Sequence, residues 1–149
     1  ANFGTFESAY RLEPLLRHLA ELAKRIQING RPAAEDPAVR QKLAQFHIEI
    51  QAMTYNGFRQ LTKQSQGIPP GPESSMSKLA ASDITLRLVH FASELLGPYS
   101  QVARGEKHGL DDGVWSHQAL GSRLYTLAGG TVEIQRNILG ERVLGLPKN

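Results

Sequence analysis

Apolar residues return at intervals of three and four along almost the whole chain, and that period is buried most simply by setting helix against helix. The first run is Leu12, Leu15, Leu16, Leu19, Leu22, Ala23 and Ile26, with Arg11, Arg17, Glu21, Lys24 and Arg25 mostly around it. Asn29-Gly30 is predicted to end this helix, because glycine tolerates the left-handed conformation a helix terminus adopts. Asp36-Pro37 then reads as an N-cap and first helical residue: the carboxylate accepts from unpaired N–H groups, and proline has no N–H to leave unpaired. Val39, Leu43, Phe46, Ile50, Met53, Gly57 and Leu61 mark a second long helix.

The segment QGIPPGPESS, residues 66–75, breaks the period with three prolines and two glycines and turns a corner. A third helix carries Ala80, Ile84, Leu88, Phe91 and Leu95 on one face and stops at Gly97-Pro98. Tyr99 to Trp115 has no clean period and reads as a long loop, a length that in a compact domain marks function, mobility or truncation relative to relatives. A fourth helix is expected from Ser116 to about Ala128 and a fifth from about Val132 to Leu144. No β-alternation and no internal repeat is visible. The expected fold is all-α, one domain over residues 1–149, an up-and-down four-helix bundle with a short extra C-terminal helix.

Composition narrows the chemistry. The net charge is +3, with 17 basic residues interleaved among 14 acidic ones. A surface that tracks phosphates needs clustered Lys and Arg, so no nucleic-acid partner is expected. The chain has no cysteine, which excludes disulfides, zinc–thiolate sites and a thiol nucleophile. A reducing compartment fits, and a cytoplasmic location is expected. No apolar run approaches the roughly 20 residues of a membrane span. The opening, ANFGTFESAY, lacks the basic start and apolar stretch of a signal peptide and reads as a processed chain or an excised fragment.

Several constellations have a plain structural reading. His18 with Glu21 and His47 with Glu49 do not form the paired Glu-x-x-His motifs of a di-metal bundle, and both histidines fit a solvated or boundary face. Ser116, His117 and Asp111 or Asp112 make a triad only on paper, without a nucleophile elbow around them. Arg40, Lys42, Arg59 and Lys63 read as a solvated helix face. Trp115 is either an interface anchor or the hinge packing of the fourth helix.

Gly129-Gly130 is different. A glycine pair between two helical segments costs about 1 kcal/mol per residue against alanine. Thr131 is placed to cap the last helix, leaving neighbouring N–H groups outward at its partly positive end. With no side chain at 129 and 130, a flat ligand or an acyl thioester has room to approach the main chain. A kink needed only for packing explains the glycines equally well.

The motif LAGGTVEIQRNILGERVLGLP resembles the C-terminal signature of the flavin-dependent acyl-CoA dehydrogenases. GPESSMSKLAASDI, Gly71 to Ile84, resembles the lead into that family's next helix, and RPAAEDPAVRQKLAQFHIEIQAM is similar to the helix after its flavin-contacting loop. The resemblance spans most of the chain and covers the family's C-terminal helical domain, not its N-terminal helical domain or middle β-domain. It implies a role in removing two hydrogens from the α and β carbons of an acyl-CoA, with FAD as cofactor. An electron-acceptor protein and a homo- or hetero-oligomer are implied as partners. By the same resemblance Gly130 would face the substrate, while Thr131 and Glu133 would help hold the flavin.

Two departures shape the expectation. Many members have Glu-Gly-Thr at the turn, the glutamate acting as base; here Gly129 occupies that place and cannot accept a proton. Some branches carry the base on the first helix of this domain, at a position that falls at or just before Ala1, with Glu7 the nearest carboxylate. In AKRIQING, where many relatives have an Arg-x-Gln-Phe-Gly loop, Arg25, Gln27 and Gly30 are present but Asn29 replaces the aromatic and the register is off; Leu95-Leu96-Gly97-Pro98 stands where Gln-x-x-Gly-Gly is common. The chain is expected to act within a longer flavoprotein and not to turn over substrate alone. The alternative is a non-catalytic structural subunit of a mixed acyl-CoA dehydrogenase oligomer.

Overall fold

The computed structural model describes residues 4–69, 71–72 and 74–148, with side chains from residue 10 onward. Three long helices carry the fold: α1 (Gly4–Arg25), α2 (Pro37–Ser65) and α3 (Ser74–Leu96). The fourth side is built from α4 (Val114–Ser122), α5 (Leu124–Leu127) and α6 (Val132–Ile138). The all-α bundle expected from the apolar period is the observed architecture.

The predicted stripes meet in one core. Leu12, Leu16, Leu19, Leu22 and Ala23 of α1 pack with Val39, Phe46, Ile50 and Met53 of α2 and with Ile84, Leu88, Phe91 and Ala92 of α3. Phe46 and Phe91 meet with ring centroids 6.3 Å apart. Above this contact Arg87 pairs with both Glu49 and Asp83 and lies 5.6 Å from the Phe46 ring centre. Asp36 caps α2 as its sequence position requires, accepting from Ala38 N at 2.8 Å and Val39 N at 3.1 Å.

The first helix stops earlier than expected, at Arg25. Asn29 and Gly30 instead turn a small hairpin between β1 (Gln27–Ile28) and β2 (Arg31–Pro32), both with positive φ, +52° and +78°. That is the conformation an Asn-Gly hairpin turn demands, so the dipeptide signalled a hairpin rather than a helix end.

The loop over 99–115 is also more ordered than its sequence suggests. Tight 3-10 turns occupy Gly97–Gln101 and Leu110–Gly113. Trp115 is buried and serves as hinge packing for α4, its ring 5.0 Å from that of His18. Asp111 ties this corner to α1: its carboxylate accepts from His18 at 2.9 Å, from Arg25 and from Trp115 Nε1 at 3.3 Å. The expected fourth helix breaks at Arg123. The fifth keeps α geometry only to Ile138, then widens into a π turn over Leu139–Val143.

Candidate functional site

The glycine turn lies between α5 and α6, with Gly129 at φ +74° and Gly130 at φ +99°. Such values are routine for glycine and costly for other residues, so the conformation itself accounts for the pair. Their surroundings differ. A Cβ at Gly129 would have no heavy atom within 4 Å, whereas one at Gly130 would stand 2.8 Å from Gln135 Nε2. Gly130 is bare because the helix behind it is close; Gly129 is bare beside open space.

Thr131 caps α6 as expected, its hydroxyl accepting from Ile134 N at 3.4 Å. The same hydroxyl donates to Glu133, which is exposed. Glu133's own backbone N–H, then that hydroxyl and the charge of Arg136, hold its carboxyl below the usual glutamate range. The N–H groups of Gly129, Gly130 and Thr131 have no hydrogen-bond acceptor among the described residues. The carbonyls are all spoken for: Gly129 O accepts from Gln135 Nε2 at 2.8 Å, Gly130 O from Lys78 Nζ at 2.7 Å, and Thr131 O from Gln135 N at 3.0 Å. The turn therefore binds its acceptors internally and leaves these donors without a partner among the described residues.

A cavity of about 650 Å³ opens between α1, α3 and this turn, with Gly129 on its wall. Volumes of this order suit a small-molecule ligand. Arg11, Leu15, Lys78, Thr85 and Tyr125 also line it. Arg11 donates to the Tyr125 hydroxyl at 3.2 Å, and Ser82 of α3 donates to Tyr125 O at 2.8 Å, so the helix before the turn is fastened to both α1 and α3. Exposed apolar residues flank the turn, Leu127 before it and Ile134 after it.

Of the residues singled out from the sequence, Gly129 lines the cavity, while Gly130, Thr131 and Glu133 follow it in the turn and the start of α6 without lining it. Lys78, Gln135, Arg11 and Tyr125 join them without having been singled out from the sequence. Gln135 carried a signal, an amide four residues after the cap residue and so one turn above it. Lys78 carried none beyond sitting in a serine-rich helix start.

Other candidates fall elsewhere. Arg25 is committed to Asp111, and Gln27 lies exposed in the hairpin. Ser116 Oγ donates to Val102 O and Gly113 O, each at 2.7 Å, while His117 is exposed, so no triad assembles. Among the described residues no group of three His, Asp or Glu could hold a metal ion, and no helix is long and apolar enough to cross a membrane. Ala1 and the Glu7 side chain lie outside the described residues.

Residues 5–144 match the family model for the acyl-CoA dehydrogenase C-terminal domain. Acyl-CoA dehydrogenase IpdE1 of Mycobacterium tuberculosis is 33% identical over 134 residues, covering 89% of this chain and 32% of the relative. The chain therefore spans about a third of the length of the curated relatives it matches. Among solved structures it is similar to the ChsE4-ChsE5 complex from Mycobacterium tuberculosis, with a TM-score of 0.77 at 23% identity, covering 91% of this chain and 35% of that one. It is also similar to a glutaryl-CoA dehydrogenase from Mycobacterium smegmatis in complex with FADH2, with a TM-score of 0.72 at 17% identity, covering 95% of this chain and 34% of that one.

Proposed function

The chain belongs to the acyl-CoA dehydrogenase family as its C-terminal domain, and from that premise we propose that the Gly129-Gly130-Thr131 turn is the face this domain offers to a CoA thioester and to FAD. The observation that carries the reading is the turn's asymmetry, with its carbonyls bound internally and its consecutive N–H groups without an acceptor among the described residues, next to a ligand-sized cavity that Gly129 alone of the three lines. Together with the family's N-terminal helical and β-domains, the domain would serve α,β-dehydrogenation of an acyl-CoA. Electrons would pass on to an acceptor protein, in a cytoplasmic homo- or hetero-oligomer.

The residues present fit a flavin in two respects. Bare backbone with unspent donors lies between the exposed apolar Leu127 and Ile134, an environment suited to a flat ring system edged with oxygens. Glu133, exposed and ionised, suits the hydroxyls of a flavin's sugar chain and not its phosphates. When bound, FAD supplies the hydride acceptor of the reaction. The chain's own contribution is placement: Gly130 lets the substrate lie against the main chain, and Thr131 fixes the start of α6 beneath it. Gly129 can take no proton, so the base for α-proton removal must come from outside this turn.

That same Gly129 favours a second reading, a structural subunit that supports a partner's active site. The absorption spectrum of the whole gene product, purified with any co-encoded partner, separates the two. A bound flavin that bleaches on adding an acyl-CoA is expected for the catalytic reading; a colourless protein would overturn it and leave the supporting role.

A further inference from the structure

The cavity between α1 and α3 holds positive charge that nothing around it balances. Arg11 of α1 and Lys78 of α3 both line it, and among the described residues no aspartate or glutamate does. Neither cation is paired with a described carboxylate. Each spends a hydrogen on a neutral oxygen instead, Arg11 on the Tyr125 hydroxyl at 3.2 Å and Lys78 on Gly130 O at 2.7 Å. A guanidinium and an ammonium have further hydrogens, so both retain donors for a ligand.

The hydroxyls at the start of α3 give a second, independent sign. Ser75 and Ser77 line the same cavity and are each only 7% exposed. Neither hydroxyl has a hydrogen-bond partner among the described residues. Ser82 and Thr85 on the same wall differ, because their hydroxyls are spent on the carbonyls of Lys78, Tyr125 and Ala81. Among the described residues, the unpartnered side-chain oxygen that is sealed from open space belongs to Glu13. The Ser75 and Ser77 hydroxyls therefore open onto the cavity. A buried polar group is retained where it has a partner to meet.

These groups answer one ligand chemistry. Water can satisfy a hydroxyl, but only an anion balances two cations that share a wall without a counter-charge. A carboxylate accepts charge-assisted bonds from a guanidinium and an ammonium and has lone pairs left for hydroxyls. Leu12, Leu15, Ala81 and Ile138 make the rest of the wall suitable for methylene groups. We propose that this cavity is the subsite for an acyl group that ends in a carboxylate, received by Arg11 and Lys78 together with the Ser75 and Ser77 hydroxyls, so that the domain serves CoA thioesters of dicarboxylic acids. The inference rests on the function proposed above, which sets the thioester against the glycine turn on the wall of this cavity. With the thioester there, the whole pantetheine arm separates CoA's nearest phosphate from the sulfur, further than a cavity of about 650 Å³ reaches.

The test uses the whole gene product, purified with any co-encoded partner. Dissociation constants of succinyl-, adipoyl- and suberoyl-CoA are measured against uncharged thioesters of equal length, butyryl-, hexanoyl- and octanoyl-CoA. At least one carboxylated member should bind about tenfold tighter than its counterpart. Arg11→Met should cut that preference to about twofold or less, and Ser75→Ala with Ser77→Ala should lower it about threefold. Arg17→Met, which removes an exposed cation of α1 outside the cavity, should keep it in full. Equal losses in the two arginine variants would mean a general attraction between charges and would overturn the subsite, as would a preference that survives Arg11→Met. Should Arg11→Met fail to fold, Lys78→Met is read by the same ratio. No preference in any pair, with the uncharged thioesters bound, would sink the proposal and leave the proposed function standing. If the parent binds no thioester, the proposed function fails, and free adipate and inorganic phosphate are titrated by calorimetry instead. Adipate binding that Arg11→Met abolishes keeps the carboxylate subsite; binding of phosphate alone, or of neither, rejects it.

Discussion

Gly129 and Gly130 share a left-handed conformation, and only one of them is crowded. Gly129→Ala therefore meets backbone strain alone, about 1 kcal/mol. Gly130→Ala adds a methyl 2.8 Å from Gln135 Nε2 and must displace that amide from Gly129 O, at a further cost of about 1–3 kcal/mol. Melting curves of the two variants should separate in that order, and equal losses would contradict the packing described. At Asp111, burial taken alone pushes the carboxyl up. The Arg25 hydrogen bond and charge, with the Trp115 N–H and the His18 charge, together outweigh it and leave the group below the ordinary aspartate value of 3.8. The folded pKa is thus the depressed one, so the stabilisation is full above the unfolded value and is lost as pH falls from there through the folded value. Glu49, lowered chiefly by its bond from Arg87, adds in the same direction. Asp111→Asn should flatten the acid side of a plot of melting temperature against pH, and an unchanged slope would count against the Arg25–Asp111–His18 junction. None of this junction was legible beforehand, because its partners lie 93 and 86 residues apart in sequence.

Elements with strong local signals were readable and those governed by the tertiary surroundings were not. The α2 start followed from Asp36-Pro37 alone, since cap and proline act within one turn. Asp36→Ala should cost about 1 kcal/mol, measurable by denaturant unfolding. The stripes of α1, α2 and α3 likewise announced the core. The fourth side did not announce its breaks at Arg123 and Ile138, where tertiary packing decides the geometry and the residues themselves form acceptable helix. Trp115 had two readings in the sequence and has one in the fold: it fills the corner where α4 meets α1. Trp115→Ala should cost about 3–5 kcal/mol, a loss large enough to unfold a marginal domain. The glycine turn was found as a peculiarity of sequence, but its grips were not, because a lysine on α3 gives no local hint that it reaches residue 130.

The molecule as a whole leaves sets of large apolar residues exposed outside its core. On α2, Ile48 and Tyr55 are 60% and 68% exposed and lie two turns apart, on the side away from Phe46 and Ile50. Leu120, Leu124 and Leu127 form a second exposed set along α4 and α5. Apolar faces of this kind mark contact surfaces, which agrees with a domain that works against other domains or subunits. The 149-residue chain should accordingly self-associate in sedimentation experiments, and Ile48→Lys with Tyr55→Lys should shift it toward smaller species without altering its melting. Given acyl-CoA and FAD, the same chain should show no turnover; desaturation by it alone would overturn the reading of the site. The open space at Gly129 has one more consequence, and it is genetic. Every glycine codon ending in a purine becomes a glutamate codon by one transition, and nothing in the fold lies where that new side chain would begin. A carboxylate at this turn is thus a mutation the scaffold has room for, opposed only by the left-handed backbone of Gly129. Lineages carrying this domain could exchange a chemical role for a supporting one, and back, through single nucleotide changes while keeping the same core.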